Sequence, residues 1–385
     1  MTGLQYSSVL QVPWCLRGWI KSGGYKNKTK AFITLSIYFI KNVEVNTVTK
    51  NRFLKKPIKP VEILAGSDVS ELLSNMGDTA FQGKNLAVAV EVWQEMLKNN
   101  TTIFMGLAGA MVPAGMRKVV VYLLKNRLID CLVSTGANLF HDIHETLGKY
   151  HWQGTTHVND EILYKEGIDR MYDVFALEKE FREIDKYIFD FSQTIESGRP
   201  YTTREFFYLI GKKLTKDGKN EGIISSAYKA DVPIYCPAVA DSSIGIALSI
   251  NSKGENFLFD VVADVQETAK IVIKAKTTGV IYIGGGTPKN FIQQTEVTAS
   301  KMGVDVPGHQ YAIQITADSP HWGGLSGCTF EEAQSWGKIA QRAKKVTVYC
   351  DSTIALPIIV TAVSQRCKKI NKKRDLPNFK IILKR

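Results

Sequence analysis

Lys338 is the side chain of this sequence best suited to covalent chemistry. It stands in residues 335–339 (SWGKI), among small and apolar neighbours. Removing water from around a lysine lowers its pKa, and the neutral amine is a nucleophile that can form an imine. The alternative is a surface lysine whose aliphatic stem covers apolar surface while its ammonium group stays in water.

A glycine-rich turn and two aspartates could bind a nucleotide. Residues 284–288 (GGGTP) lie between a predicted strand and a predicted helix, where glycines let the backbone approach a phosphate at a helix N-terminus. The turn lacks the G-x-G-x-x-G pattern, so a plain tight turn is an equal alternative. Asp241 and Asp351 each follow a predicted strand, where a carboxylate could bind ribose hydroxyls or cap a helix.

Residues 141–145 (HDIHE) raise the possibility of a metal site. His141 and His144 share one face of a helix, but the H-E-x-x-H pattern of a zinc site is absent. We therefore interpret these histidines as hydrogen-bonding groups and predict no metal.

Apolar strand-like runs alternate with helical patterns from Pro57 onward. This alternation predicts an α/β fold with a mostly parallel sheet covered by helices on both faces. The predicted strands are residues 102–106, 129–134, 233–238, 257–262, 279–283, 311–316 and 345–349. The predicted helices are residues 86–97, 113–126, most of 170–216, 265–274, 289–302, 330–343 and 354–368.

Ligands of such folds bind beyond the carboxyl ends of the strands. That rule selects six short segments rich in Gly, Ala, Ser, Thr or Asp: 106–109, 135–138, 241–245, 284–286, 316–317 and 351–353.

The composition excludes several classes of protein. The chain has 385 residues, of which 44% are hydrophobic and 22% charged, so it is not a disordered, collagen-like or coiled-coil chain. No run of eighteen apolar residues is present, and we expect no membrane association. The six cysteines lack C-x-x-C spacing, which favours reduced thiols in a cytoplasmic protein.

Positive charge is concentrated at the two ends of the chain. Residues 1–60 carry eleven Lys and Arg against Glu44, and residues 365–385 carry nine against Asp375. Because the whole chain is +12, the 304 residues between them carry −6. A nucleic-acid-binding protein concentrates positive charge on its folded surface, so we expect no nucleic-acid partner and interpret the ends as solvated.

Three regions follow from these patterns. Residues 1–56 are predicted to be a basic, poorly ordered extension or the result of a start codon assigned too early. Their apolar run, 31–40, is short and is followed by Lys41 rather than by small residues, so we expect no export. Residues 57–370 form the predicted catalytic domain, and residues 371–385 a basic tail.

Several motifs together resemble the deoxyhypusine synthase family. The resemblance covers residues 57–369 and is most specific in residues 80–83 (AFQG), 133–142 (VSTGANLFHD), 283–289 (IGGGTPK) and 331–338 (EEAQSWGK), with Asp351 thirteen residues after Lys338. It implies a Rossmann-like α/β domain that assembles as a homotetramer with sites at subunit interfaces. It also implies bound NAD, without net consumption of it, and transfer of an aminobutyl group from spermidine through an imine on a lysine to a second amine.

The resemblance assigns roles to individual residues. Lys338 would be the catalytic nucleophile, and Glu332, Trp336, His141 and Asn290 would bind the amine substrate. The cofactor would be contacted by Gly109, Ala110, Thr135, Gly136, Ala137, Asp241, Gly285, Thr316, Ala317, Asp351 and Ser352.

The sequence also departs from the spermidine-using members of the family. Four positions that hold acids in those members hold Phe140, His141, Ile246 and Leu325 here, and Asn290 replaces a histidine. A pocket with fewer carboxylates compensates a polyamine cation poorly. The chain therefore resembles a divergent branch, and a protein lysine is a doubtful acceptor. A homospermidine synthase-type transfer to a small amine, a non-catalytic NAD-binding homologue and an oxidoreductase that releases NADH are the alternatives.

Overall fold

The computed structural model describes residues 53–250, 257–371 and 374–383. The chain divides into two units, Met1–Lys59 and Pro60–Arg385. All the elements below belong to the second unit. The extension predicted for residues 1–56 lies outside the described residues except for its last four.

The second unit is built on a six-stranded parallel sheet. The strands of the chain are β1 (Thr102–Leu107), β2 (Cys131–Ser134), β3 (Trp152–Gln153), β4 (Ile168–Met171), β5 (Val174–Leu177), β6 (Ile234–Tyr235), β7 (Thr278–Ile283), β8 (His309–Thr316) and β9 (Ile339–Tyr349). The main sheet has the order β6-β2-β1-β7-β8-β9, and every pairing in it is parallel. The predicted α/β fold class is confirmed.

Fourteen α-helices accompany the strands in the described part of the chain. They are α1 (Val69–Met76), α2 (Phe81–Lys98), α3 (Arg117–Lys125), α4 (Gly136–Thr146), α5 (Asp160–Glu166), α6 (Glu178–Ser192), α7 (Thr203–Asp217), α8 (Ile223–Ala230), α9 (Ser243–Ser249), α10 (Val261–Lys274), α11 (Gly286–Lys301), α12 (Phe330–Ser335), α13 (Ser352–Asn371) and α14 (Phe379–Ile382). None of these helices is long and apolar enough to cross a membrane.

The central strands are buried on both faces, which explains their unbroken apolar sequences. All six residues of β1 and all six of β7 are buried. A strand covered by helices on both faces has no solvent side, so its sequence does not alternate. Two core clusters, one containing Met105 and Ile281 and the other Phe104 and Val280, result from this arrangement.

Most of residues 170–216 is helical as predicted, in α6 and α7, but β4 and β5 at the start of the range were not predicted and form with β3 a separate antiparallel sheet. Two of the other predicted elements are wrong. The strand predicted at 257–262 is absent, because Phe259 makes only an isolated bridge to Tyr201 and α10 begins at Val261. The helix predicted at 330–343 ends at Ser335, and residues 339–343 belong to β9.

The order of the main sheet places a crevice between β1 and β7. Numbered by their appearance in the chain, its strands run 3-2-1-4-5-6, the order of doubly wound dinucleotide-binding folds. The chain leaves β1 toward β2 on one side and enters β7 on the other. Loops after these two strands therefore diverge, and a ligand can enter between them.

Part of the basic C-terminal segment is packed rather than solvated. Arg374 is buried and forms an ion pair with the buried carboxylate of Asp130. The Arg374 guanidinium also donates hydrogen bonds to the backbone oxygens of Thr101 and Arg127, the latter at 2.8 Å. These contacts attach the segment to the amino ends of β1 and β2.

We expect Arg374→Met to lower the free energy of unfolding by about 3 kcal/mol, because it removes the buried ion pair with Asp130 and leaves that carboxylate with Arg127, at 3.3 Å, as its cation. Urea denaturation at one fixed protein concentration measures the loss. Asp375→Asn changes the adjacent exposed charge and serves as the control. A loss below 1 kcal/mol in Arg374→Met would contradict the assignment of this segment to the packed unit.

Candidate active site

The loops after β1 and β2 are joined by a buried asparagine. Asn138 donates hydrogen bonds through Nδ2 to the backbone oxygen of Gly109 at 2.7 Å and to Thr135 Oγ1 at 3.1 Å. Its Oδ1 accepts a hydrogen bond from the Val112 amide at 3.1 Å. The predicted cofactor residues Gly109 and Thr135 are thus held together at the crevice. Asn138 was missing from the predicted site, although it lies within the VSTGANLFHD motif.

The glycine turn after β7 packs against protein rather than standing open. A Cβ atom on Gly285 would lie 2.4 Å from the Cα of Ser326. The Gly286 amide donates a hydrogen bond to Ser326 Oγ at 3.1 Å, which fixes the loop of Ser326 over the start of α11. The glycine at 285 is therefore explained by close approach of two backbones.

The two predicted ribose-binding aspartates differ in their surroundings. Asp351 Oδ1 accepts hydrogen bonds from the amide and the hydroxyl of Thr353, at 2.7 and 2.5 Å, and these hold the pKa of Asp351 below its usual value. The Asp351 carboxylate therefore accepts hydrogen bonds from the first turn of α13, as the capping alternative predicts. Asp241 is exposed, and the residue at the N-cap of α9 is Ser242, so the capping alternative for Asp241 is wrong.

The remaining predicted cofactor residues lie at the same edge of the sheet. Ala110 and Ala317 are exposed in the loops after β1 and β8, and Ala137 is exposed in the first turn of α4. Gly136 begins α4 directly after β2 and is buried. Thr316 ends β8, where its Oγ1 accepts a hydrogen bond from the Asp318 amide, and Ser352 Oγ donates to the Ile315 oxygen at 3.3 Å.

A cavity of about 590 Å³ opens at this edge. Its lining includes Ala110 and Asp351 from the predicted cofactor site, the carboxylates of Glu145 and Asp173, and the rings of Trp152 and Tyr172. Its size is that of a small-molecule site. The backbone of Gly109 leaves open space where a Cβ would stand. Open backbone, a carboxylate for hydroxyl groups and aromatic faces are groups that fit a dinucleotide.

Lys338 owes its position to a helix-ending turn. Gly337 adopts φ 70°, its amide donates to the Gln334 oxygen, and the Lys338 amide donates to the Ala333 oxygen, each at 3.1 Å. This pair of hydrogen bonds is the Schellman motif, which requires the left-handed conformation that glycine adopts without strain. On an unbroken helix, Glu332 and Lys338 would lie on different faces. The turn ends the helix between them, so this restriction does not apply.

The side chain of Lys338 lies between two of its predicted neighbours. Its Nζ is 3.5 Å from Asn290 Oδ1 and 5.3 Å from the centre of the Trp336 ring. Trp336 is 67% exposed and Glu332 is exposed, so both are available to a ligand. Lys338, Trp336 and Asn290 therefore form one group, and Glu332 is exposed on α12, the helix that the turn ends.

A second lysine, which the sequence analysis did not select, lies beside this group. The ammonium group of the buried Lys289 donates hydrogen bonds to Gln314 Oε1 at 2.8 Å and to the Cys328 backbone oxygen at 2.6 Å. The pKa of Lys289 is lowered to about 8, chiefly by burial and also by the charge of Lys338, against the raising effects of Cys328, Glu332 and Asp318. The sequence feature that could have identified Lys289 as a site residue is its place at the end of the IGGGTPK motif.

Lys338 and the cofactor loops stand at opposite ends of the sheet. The Lys338 oxygen accepts a hydrogen bond from the amide of His309, the first residue of β8, so the Lys338 backbone lies at the amino ends of β8 and β9. Asp351 lies at the carboxyl end of β9. Hydrogen bonds and ring contacts join Lys338 to Asn290 and Trp336 but not to His141 or Asp241.

The histidines of the HDIHE segment take part in hydrogen bonds. His141 is half-buried on α4, and its Nδ1 lies 3.0 Å from Nε2 of His151. Nε2 of His144 lies 3.2 Å from Glu180 Oε2. Among residues 53–250, 257–371 and 374–383, no group of His, Cys, Asp and Glu is arranged to hold a metal ion.

Comparison with known proteins is consistent with this geometry. The family model for deoxyhypusine synthase matches residues 71–363. A probable deoxyhypusine synthase 2 of Methanosarcina mazei is 55% identical over 332 residues, which are 86% of this chain and 95% of the relative. The chain belongs to the deoxyhypusine synthase family.

More distant members of the family are similar as well. A deoxyhypusine synthase-like protein of Chlorobaculum parvum is 37% identical, covering 82% of this chain and 92% of its own length. The crystal structure of a putative deoxyhypusine synthase from Entamoeba histolytica shares the fold, with a TM-score of 0.54 at 18% identity over 79% of this chain and 96% of that one.

The positions at which the sequence departs from the spermidine-using members differ in burial. Ile246 and Leu325 are 52% and 48% exposed, whereas Phe140 is buried in the core. Two exposed carboxylates, Glu332 and Asp318, lie close enough to Lys289 to raise its pKa.

We expect burial of the Lys289 ammonium to make stability depend on pH. Between pH 8 and 10.5 the folded protein binds fewer protons at Lys289 than the unfolded chain, so its contribution to the free energy of unfolding rises with pH. Relative to Lys289→Met, the wild type should gain up to about 3 kcal/mol across this window, at about 1.4 kcal/mol per pKa unit.

Urea denaturation of both proteins between pH 7.5 and 10.5, at one protein concentration, measures this difference. Lys301→Met, at an exposed position of the same helix, controls for the change in helix propensity. A difference between wild type and Lys289→Met that does not vary with pH would show that the buried amine keeps its ordinary pKa.

Proposed function

We propose that this chain is an NAD-dependent transferase that moves an alkyl group of the aminobutyl type from a polyamine donor, through an imine on Lys338, to an amine acceptor. The observation that carries the proposal is the Schellman turn at Gly337, which presents the Lys338 amine beside Trp336 and Asn290. The names of its relatives, probable deoxyhypusine synthases, support the same chemistry.

Each residue near Lys338 has a role in this proposal. The Lys338 amine attacks the carbon of the donor's imine, the bond from that carbon to the donor nitrogen breaks, and the rest of the donor leaves as a free amine. The alkyl group is then held as an imine on Lys338. An acceptor amine attacks the same carbon, and Lys338 leaves as the free amine. The Trp336 ring offers a cation–π face to a substrate ammonium group, and Glu332 supplies a carboxylate for it. Asn290 Oδ1 orients the Lys338 amine by a hydrogen bond.

The crevice between β1 and β7 is the proposed site of NAD. Gly109, Thr135, Gly285 and Asp351 would contact it, with the other loop residues listed in the sequence analysis. When bound, NAD supplies hydride acceptance and return. Carboxylates in the adjoining cavity, and the absence of Lys and Arg from its described lining, favour a cofactor without a ribose phosphate.

We propose that a second copy of the chain completes the site in a homotetramer. Lys338 and the cofactor loops stand at opposite ends of one sheet, and Trp322 is 79% exposed near Trp336 in the sequence. Large exposed apolar groups mark surfaces that another molecule covers. Covering them would also exclude water, which an imine requires.

A small amine is the preferred acceptor in this proposal, as in homospermidine formation. The exposed Ile246 and Leu325 replace acids, so a polyamine with several charges would be poorly compensated near them. The competing hypothesis is a non-catalytic NAD-binding homologue, which the same replacements favour.

Borohydride trapping tests the nucleophile. Incubation with NAD and spermidine, putrescine, agmatine or homospermidine, then reduction, should add the mass of the transferred group to the Lys338 peptide in mass spectrometry. Lys338→Arg should remove the adduct and at least 100-fold of the transfer rate, because a guanidinium cannot form the imine. Lys301→Arg, at an exposed position, should keep both.

The outcome separates the hypotheses. An adduct on Lys338 identifies the nucleophile, and its mass identifies the group. NAD binding without an adduct from any of these amines would favour the non-catalytic homologue, and full activity in Lys338→Arg would contradict the proposed role of Lys338.

Gly337→Ala tests whether the turn positions the lysine. Alanine at φ 70° costs about 1–2 kcal/mol, although no atom lies within 4 Å of the added Cβ. Gly303→Ala adds a Cβ at φ 84° in equally open space after α11 and should cost a similar amount. We expect only Gly337→Ala to reduce the rate of adduct formation on Lys338, and equal rates in the two variants would contradict this role of the turn.

A further inference from the structure

A tyrosine at the tip of the β4–β5 hairpin has a backbone conformation that its side chain disfavours. Met171 and Val174 are the last pair of the hairpin, so Tyr172 and Asp173 make a two-residue turn. Such turns need a positive φ at their first position, where glycine or asparagine is usual. Tyr172 occupies that position with φ 56°. The residue is 76% exposed, so packing within the chain does not explain why a tyrosine is there.

Hydrogen bonds to both backbone oxygens of the turn hold it in place. Arg170 Nη1 donates to the Tyr172 oxygen at 2.8 Å, and the same guanidinium donates to both carboxylate oxygens of Asp160, at 2.6 and 2.8 Å. The Gly154 amide donates to the Asp173 oxygen at 2.8 Å. A disfavoured conformation persists where the surroundings determine it, and such positions cluster at ligand sites. The hairpin therefore fixes the backbone from which the Tyr172 ring projects.

The hairpin presents Tyr172 to the cavity of the proposed cofactor site. Tyr172, Trp152 and Asp173 of the second sheet line this cavity, whose volume is about 590 Å³. Ala110 and Asp351, from loops of the main sheet, line the same cavity. A ligand that fills it would therefore contact both the loops at the carboxyl ends of the strands and the hairpin.

The chemistry of this lining fits a planar, uncharged base. An exposed aromatic ring stacks on another flat ring in an offset arrangement. The carboxylate of Asp173 is exposed beside Tyr172 and can accept a hydrogen bond from an exocyclic amino group. No Lys or Arg belongs to the described lining, which therefore offers no cation to a phosphate. Adenine, a flat neutral ring with an exocyclic amino group, has these features.

The nicotinamide end of the cofactor belongs nearer to Lys338. Its ring must take hydride from the donor carbon that Lys338 then attacks, and reacting atoms have to be in contact. Lys338, Asn290 and Trp336 do not belong to the described lining of this cavity. The adenosine end of a dinucleotide is therefore the part that fits here.

We propose that Tyr172 is a cofactor-binding residue whose ring stacks on the adenine base of NAD. The proposal rests on the proposed function for the presence of NAD, and it adds which end of the cofactor the cavity receives. In this view the tyrosine ring contributes to cofactor binding at the expense of a strained backbone, as residues at ligand sites often do.

Tyr172→Gly separates binding from stability. Glycine adopts φ 56° without strain, so we expect the midpoint of urea unfolding, at one protein concentration, to rise. Loss of the ring should raise the Kd of ADP-ribose, which has the adenosine end but no nicotinamide, about 10-fold in isothermal titration calorimetry. Tyr172→Phe keeps the ring and should bind ADP-ribose within twofold of the wild type. A variant that is more stable yet binds less tightly cannot owe its weaker binding to misfolding.

Asp231→Gly is the matched control. Asp231 has φ 54° at the end of α8 and is not part of the described lining of the cavity, so glycine there relieves a similar conformation elsewhere. We expect its urea midpoint to rise and its Kd for ADP-ribose to stay unchanged. Nicotinamide mononucleotide, which carries the other end of NAD, should bind Tyr172→Gly and the wild type equally.

The outcomes distinguish this role from the proposed function. If the wild type binds NAD and forms the adduct on Lys338, an unchanged Kd of ADP-ribose in Tyr172→Gly would overturn the role of Tyr172 alone. Weaker binding of nicotinamide mononucleotide in that variant, or a lower urea midpoint, would also overturn it, because the ring would then serve the other end of NAD or the fold. A wild type that binds neither NAD nor ADP-ribose would overturn the proposed function and this role together.

Discussion

The hydrogen bonding of β1 between β2 and β7 is the constraint on which the rest of the molecule depends. Both pairings are parallel, so the chain must return from the carboxyl-terminal edge of the sheet to its amino-terminal edge before each new strand. The helices that make these returns cover both faces of the sheet. All the strands then end at one edge. The loops of Gly109, Thr135, Gly285 and Asp351 meet there because the sheet brings them together, although up to 242 residues separate them in the chain.

Lys338 is positioned by a different and more local device. The left-handed Gly337 ends α12 and starts β9 within three residues, and the two Schellman hydrogen bonds fix the direction of the backbone at the lysine. Its side chain then follows α11 to Asn290. The backbone of this turn lies at the amino end of β9, whereas the side chain of Lys338 reaches Asn290 on α11, the helix that begins at the loop of Gly285.

The sequence predicts the strands of the parallel sheet well, but it does not predict the short strands of the second sheet or the end of α12. Unbroken apolar runs identify β1, β2, β7 and β8, since strands buried on both faces require them. β4 and β5 were missed because they are four residues long, only partly buried and followed by the strongly amphipathic α6. The helix predicted through residue 343 ends early because of Gly337, whose effect depends on a φ value that composition does not reveal.

At the candidate site, too, residues in local motifs could be predicted from the sequence, whereas residues with partners distant in sequence could not. Motifs predicted Lys338, Asn290, Trp336 and Glu332 as site residues, and the contacts of Lys338 with Asn290 and Trp336 are compatible with that prediction. They did not select Asn138, Lys289 or Gln314, whose roles depend on partners distant in sequence. His151 was missed for the same reason, since ten residues separate it from His141 and a loop brings the two rings together.

The charges around the lysines limit the substrates that the site can accept. Lys289 and Lys338 place two amines near the exposed carboxylates of Glu332 and Asp318, and burial already disfavours the charged form of Lys289. Binding a polycation there without further acids would raise the electrostatic free energy of the complex, whereas binding an amine that has lost its proton would not. The balance of charges around the lysines therefore favours amines that bind or react in the neutral form.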